Sequence, residues 1–226
     1  MRTLSDTQVR SLLLAAQGTR YEALFWLAVS TGLREGELLG LRWSDLDWKT
    51  HSLHVQRQLQ RLDGQYVFPE PKSAAGRRVI VVGETMIQKL RAHLNILEAE
   101  RREAGDRWQE NDLIFSSSLG TPWDKRNMFK YYKIFLKKAG LPDIRFHDLR
   151  HTAATLMLQQ GVHPKIVQER LGHSDITLTL NTYSHVLPAM QEEAASKLDE
   201  LLTPIDVSRQ LKSIEEQEAS YQVETA

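Results

Sequence analysis

Residues 21–31 are apolar on nearly every face, whereas the stretches on either side are apolar on one face only. That contrast predicts a buried central helix over 21–31, stopped or bent by Gly32. Ahead of it, Leu4-Ser5-Asp6 opens a helix running to Gln17, with Ser5 as N-cap and Gly18 as the stop. Beyond Gly32, residues 34–39 restart a short helix. Residues 52–59 then alternate apolar and polar, the period of a half-buried strand. Asp63-Gly64 is a hairpin signal, residues 65–68 return, and residues 77–82 give a further strand. The expectation is one three-stranded antiparallel sheet within residues 52–82.

Helical periodicity resumes at residues 84–104 and ends at Gly105. A short extended piece at 113–115 precedes a helix over 123–139, introduced by Pro122 and ended by Gly140-Leu141-Pro142. Two more helices follow, over 146–160 and from His163-Pro164 to Leu171, each closed by a glycine. Ser174 is expected to cap a short helix, and an amphipathic helix over 189–202 comes last. The pattern predicts a mainly α domain with one small antiparallel sheet over residues 1–203, and a polar tail over 204–226.

Composition narrows the function classes. The chain of 226 residues has no cysteine, which excludes disulfides, thiolate metal sites and cysteine nucleophiles. No apolar run approaches the roughly 18 residues of a membrane span, and no signal-like start is seen, so a cytoplasmic protein without a membrane partner is expected. The zero net charge argues against a nucleic-acid partner until its distribution is considered. Residues 1–183 hold 26 Lys/Arg against 20 Asp/Glu, and residues 184–226 hold 3 against 9. A mildly basic body with an acidic tail is compatible with DNA binding.

The candidate chemistry is concentrated downstream. His147 and Arg150 are three residues apart and share a helical face, with His151 beside them. Leu171-Gly172-His173 and Tyr183 follow. Such groups suit a phosphate: arginine offers a planar fork of donors, histidine a titratable donor, tyrosine a nucleophile or further donor. His147-Asp148-Leu149-Arg150-His151 also mimics the His-Glu-x-x-His pattern of zinc proteases. The fixed charge of Arg150 and the lack of a third-ligand motif argue against that reading.

His-x-x-Arg, then Leu-Gly-His, then Tyr ten residues later resembles the tyrosine recombinases, the phage-integrase family. Thr31-Gly32-Leu33-Arg34-Glu35-Gly36-Glu37-Leu38 resembles that family's first arginine box. The resemblance spans residues 4–202. It implies a site-specific DNA recombinase or integrase that breaks and rejoins strands without a metal or other cofactor and without a small-molecule substrate. Tyr183 would attack a DNA phosphate and form a 3′-phosphotyrosyl link. Arg34 and Arg150 would clamp the phosphate, with His147 as acid/base, His173 as hydrogen-bond partner and Lys72 as proton donor to the leaving 5′-oxygen. Glu37 would support Arg34, and His151 would play a supporting structural part.

DNA-backbone contacts are expected at Arg77, Arg78, Lys125, Arg126 and Lys130, with double-stranded DNA as the partner. Strand exchange in the family runs on a homotetramer, with the segment after the tyrosine packing on a neighbouring protomer. The residues before Leu4 are too few for the family's N-terminal core-binding or arm-binding domain, so a truncated chain is expected, with an unusual minimal enzyme as the alternative. Two alternatives remain: a type IB topoisomerase-like strand transferase, and a DNA-binding module without catalysis.

Overall fold

A computed structural model describes residues 2–71, 73–177 and 187–202. Lys72, Tyr183 and the tail after Leu202 lie outside the described residues. The chain divides into two compact units, one up to Val186 and one from Leu187. Among the described residues no helix is long and apolar enough to cross a membrane.

The first unit is built around α2 (Glu22–Thr31), whose Ala23, Leu24, Phe25, Leu27 and Ala28 are all buried. Four helices surround it or lean on its neighbours: α1 (Asp6–Ala16), α4 (Glu84–Ala104), α5 (Lys125–Lys138) and α6 (Asp148–Gln159). α1 begins with a reciprocal cap. Ser5 Oγ accepts from the Gln8 N–H at 3.2 Å, and Gln8 Oε1 accepts from the Ser5 N–H at 3.0 Å. α2 stops at Gly32, which is left-handed at φ +66°. A Cβ there would lie 2.6 Å from Leu171 Cδ2, so glycine lets the chain both turn and touch α7 (Pro164–Leu171). α3 (Glu35–Leu39) restarts at once, with Arg34 in the N-cap position and Glu37 reaching back to accept from the Arg34 N–H at 3.0 Å.

The sheet differs from the expected one in its membership. Its order is β1-β2-β5, all antiparallel, with β1 at Leu46–Asp47, β2 at Ser52–Val55 and β5 at Arg78–Val81. β3 (Gln60–Leu62) and β4 (Gln65–Val67) form a separate hairpin around Asp63-Gly64. The predicted strand over 52–59 is therefore cut short. Past Val55 the backbone leaves the ladder, because the Leu59 N–H donates to Gly36 O at 2.7 Å and the Gln58 N–H to Pro69 O at 3.0 Å. The first bond ties the chain to α3 and the second to the segment after β4, and the hairpin pairs apart from the sheet.

Other boundaries shift for local reasons. α5 starts at Lys125 rather than 123, because Asp124 is its N-cap and accepts from the Arg126 N–H at 2.8 Å. α6 starts at Asp148 rather than 146, its first turn held by Asp148 accepting from the Arg145 N–H at 3.0 Å. Asp175, not Ser174, accepts from the Thr177 N–H at 2.8 Å. Tyr132 is fully buried and Tyr131 stacks on Tyr21 at 4.5 Å, so both serve packing. The second unit contains a helix at Leu187–Leu202, with Leu198, Leu201 and Leu202 exposed.

Candidate functional site

Three chain reversals meet where the sequence motifs lie: the α2–α3 turn at Gly32, the start of α6, and the end of α7 at Gly172. Arg150 joins them. Its side chain is buried, with Nη1 donating to Gly32 O at 2.8 Å and Nη2 to Leu171 O at 2.7 Å. A guanidinium held by two helix-terminal carbonyls has its plane fixed before any ligand arrives. Those carbonyls carry the negative ends of α2 and α7, which favours a cation there.

Arg34 is 40% exposed at its side chain and pairs with Glu37 at 2.8 Å. Glu37 is buried and bridges two arginines. Arg78 Nη2 donates to its Oε2 at 2.9 Å and Arg78 Nη1 to its Oε1 at 3.3 Å. Burial would raise the Glu37 pKa, but the bonds and charge of Arg78, with the Arg34 N–H and guanidinium, hold it below the usual carboxylate range. Glu37 therefore stays ionised at neutral pH.

Arg78 requires a correction. Its guanidinium is not on a surface where a DNA backbone would run, since the side chain is 7% exposed. Nε donates to Arg170 O at 2.7 Å and Nη1 to Gly76 O at 3.0 Å. Gly172 leaves it room, since a Cβ there would sit 2.7 Å from Arg78 Nη1. The parity of β5 carried this signal in the sequence: Arg78 shares a face with the buried Ile80 and Val82, while Val79 and Val81 face out. Arg77, on the other parity, is exposed and pairs with exposed Glu70 at 3.2 Å.

His173 follows Gly172, half-buried, its backbone tied to Gln168 by bonds in both directions, at 3.1 and 2.8 Å. Burial first, then the charges of Arg150, Arg34 and Arg78, push its pKa down to about 4. A neutral imidazole at pH 7 follows, able to donate one hydrogen bond. His147 is exposed at the position before α6, not inside the helix, and its ring meets His151 edge-on at 5.2 Å. Although its surface is exposed, partial desolvation of the ring by its neighbours, then the Arg150 and Arg145 charges, lower its pKa, with Glu35 opposing; His151 is lowered chiefly by burial and by His147. Asp148, which takes the place of the zinc-protease glutamate, is buried against Arg145 at 2.8 Å and so serves the helix start.

Arg34, Glu37, Gln58 and Gln60 line a cleft of about 400 Å³ together with Pro71, Ser73 and Gly76 of the second turn. Pro71 and Ser73 flank Lys72, so the described part of that turn borders the cleft. Gln58 and Gln60 had no motif to mark them. Lys125 pairs with Glu35 at 3.6 Å, Arg126 pairs with Asp124 at 3.1 Å, and Lys130 is exposed.

The chain as a whole is similar to known proteins over most of its length. The profile of the phage integrase family matches residues 2–190. The chain belongs to the phage integrase family. It is 37% identical to a tyrosine recombinase XerC-like protein of Caldanaerobacter subterraneus subsp. tengcongensis, over 89% of this chain and 54% of the relative. It is 34% identical to the ICEBs1 integrase of Bacillus subtilis, over 80% of this chain and 49% of that protein. Among solved structures, the Tn1549 transposon integrase in complex with circular intermediate DNA superposes with a TM-score of 0.70 and 28% identity, covering 88% of this chain and 67% of that one. The XerA recombinase gives a TM-score of 0.66 at 25% identity, covering 91% of this chain and 65% of that one. The chain thus spans about half the length of the curated relatives it matches.

Proposed function

We propose that this chain is the catalytic domain of a site-specific recombinase or integrase that cleaves and rejoins double-stranded DNA through a covalent tyrosine intermediate. The observation that carries the reading is the fixed arrangement of Arg150, Arg34 and His173 around the ends of α2 and α7. It places two guanidinia and a neutral imidazole, held by buried partners, in one region. Preorganised donors of this kind stabilise charge that develops on phosphate oxygens.

In the proposed step Tyr183 Oη attacks phosphorus, and its proton passes to His147, whose lowered pKa leaves it neutral and basic at pH 7. Arg34 and Arg150 neutralise the non-bridging oxygens, and His173 donates its ring N–H to one of them. The bond from phosphorus to the 5′-oxygen breaks, and Lys72 protonates the departing oxygen. A phenol is a weak nucleophile at its usual pKa near 10, so the surrounding cations are what make the attack feasible. The phosphotyrosyl ester keeps the energy of the broken bond, and a 5′-hydroxyl of a partner strand reverses the reaction without ATP.

The roles of Lys72 and Tyr183 rest on their motifs and the family, because both lie outside the described residues. Lys125, Arg126 and Lys130 along α5, with Arg77, are the proposed backbone contacts. The homotetramer on DNA and docking through the C-terminal segment belong to the same proposal, supported by the exposed leucines of the Leu187–Leu202 helix.

The test is covalent trapping on nicked suicide duplexes in EDTA, read on denaturing gels beside Tyr183→Phe. A slow-migrating adduct that persists in EDTA and disappears in the variant is expected. Binding without any adduct would favour the non-catalytic module, whereas supercoil relaxation by a monomer would favour the topoisomerase-like alternative.

A further inference from the structure

Arg78 is a buried cation that the proposed mechanism does not use. Among the described side chains it holds together three separate pieces of the site. Its Nη2 and Nη1 clasp both oxygens of Glu37, the carboxylate that also holds Arg34. Its Nε reaches Arg170 O, in the last turn of α7, three residues before His173. Its Nη1 also takes Gly76 O, at the end of the turn that borders the cleft. A surface arginine would not need these partners, and a purely structural one would not need to end on the carboxylate that orients a phosphate clamp.

We infer that Arg78 is a positioning residue: through Glu37 it sets the Arg34 guanidinium, and through the Arg170 carbonyl it sets the α7 end carrying His173, so that both meet one phosphate. The inference rests on the proposed recombinase reading, with Arg34 and His173 as phosphate ligands. The physical reason is geometric. Glu37 has two oxygens and two arginines; when Arg78 grips one edge in a fork, the remaining lone pairs face Arg34 in a fixed direction. Without Arg78 the carboxylate keeps the bond from the Arg34 N–H on Oε2 but loses the fork across both oxygens, so it can pivot about that one bond, and Arg34, already 40% exposed, follows it toward solvent. Lysine has the charge but only a point donor, so it cannot hold Glu37 and the Arg170 carbonyl together.

The experiment compares single-turnover adduct formation on two suicide duplexes. One carries the ordinary phosphodiester; the other carries a methylphosphonate at the scissile position, which has no charge for a clamp to neutralise. Arg78→Gln and Arg78→Lys are measured with wild type and with Arg34→Ala. Misplacement of a clamp by about 1 Å is expected to slow cleavage about 100-fold. Both Arg78 variants should lose roughly that factor on the phosphodiester but only a few-fold on the methylphosphonate, matching the pattern of Arg34→Ala. DNA affinity should stay nearly unchanged.

An equal loss on both substrates would make Arg78 a general structural residue and overturn the inference, as would wild-type rates on the phosphodiester. If Arg78→Gln fails to fold, Arg78→Lys, which keeps a cation beside Glu37, carries the same two-substrate comparison. A wild-type protein that forms no adduct at all would instead count against the recombinase reading, leaving a different result from either Arg78 outcome.

Discussion

Gly32→Ala should damage fold and site together, and its size can be worked from the geometry. At φ +66° an alanine carries the left-handed penalty of about 1–2 kcal/mol. Its Cβ would lie 2.6 Å from Leu171 Cδ2 and 3.4 Å from Ala153 Cβ, and Leu171 is fully buried. Forcing a methyl group into such a place adds about 1–3 kcal/mol. The stiffer unfolded chain returns about 0.4–1 kcal/mol. The net loss is about 1–5 kcal/mol, a sizeable part of the roughly 5–15 kcal/mol typical of a domain. Gly18→Ala is the control, because Gly18 has φ +72° but open space around the added atom. It should cost only about 1 kcal/mol. Urea denaturation with linear extrapolation measures both. The relaxation that admits the methyl group also shifts Gly32 O, the acceptor for Arg150 Nη1. Adduct formation should therefore fall in Gly32→Ala at temperatures where it is still folded. Equal losses for the two variants, or a Gly32→Ala loss under about 1 kcal/mol, would refute the packing argument.

Two further outcomes are expected. Arg150→Lys keeps the charge but cannot span Gly32 O and Leu171 O, so adduct formation should drop about 100-fold or more while DNA binding persists; gel-shift and trapping assays on one preparation check this. Stability should fall as pH falls from about 6.5 to about 4, because burial depresses both His93 and His173 to about 4 in the folded state, whereas the unfolded chain binds those protons first. Their contribution is full above the unfolded value and lost as pH approaches the folded one. His93 is buried with Nε2 at 2.8 Å from Ile114 O, so His93→Gln should flatten the thermal-melt profile across that window.

Much of this was readable from local chemistry. Ser5 specified the first cap, and α4 runs over 84–104 to Gly105 as its periodicity predicts. Asp63-Gly64 specified a hairpin, but not which sheet it would join. That was decided by bonds from Leu59 and Gln58 to residues distant in sequence, which no pattern in 52–68 announces. The boxes at Arg34, Arg150 and His173 were visible as spacing, yet their convergence depends on carbonyls at Gly32 and Leu171 that any residue could supply. Arg78 was the opposite case. The alternation of β5 marks it as inward-facing, and its neighbour Arg77 as outward, whereas the expectation of backbone contacts treats the two arginines alike. Charge counted without parity misplaced it.

Everything proposed for this chain turns on Tyr183 becoming joined to DNA. The most direct measurement is peptide mapping of the adduct formed on a suicide duplex, after protease and nuclease digestion, by mass spectrometry. A nucleotide remnant, attached through its 3′-phosphate, is expected on the peptide containing Tyr183, with fragmentation placing it on that residue. A remnant on any other side chain, or one attached through a 5′-phosphate, would contradict it.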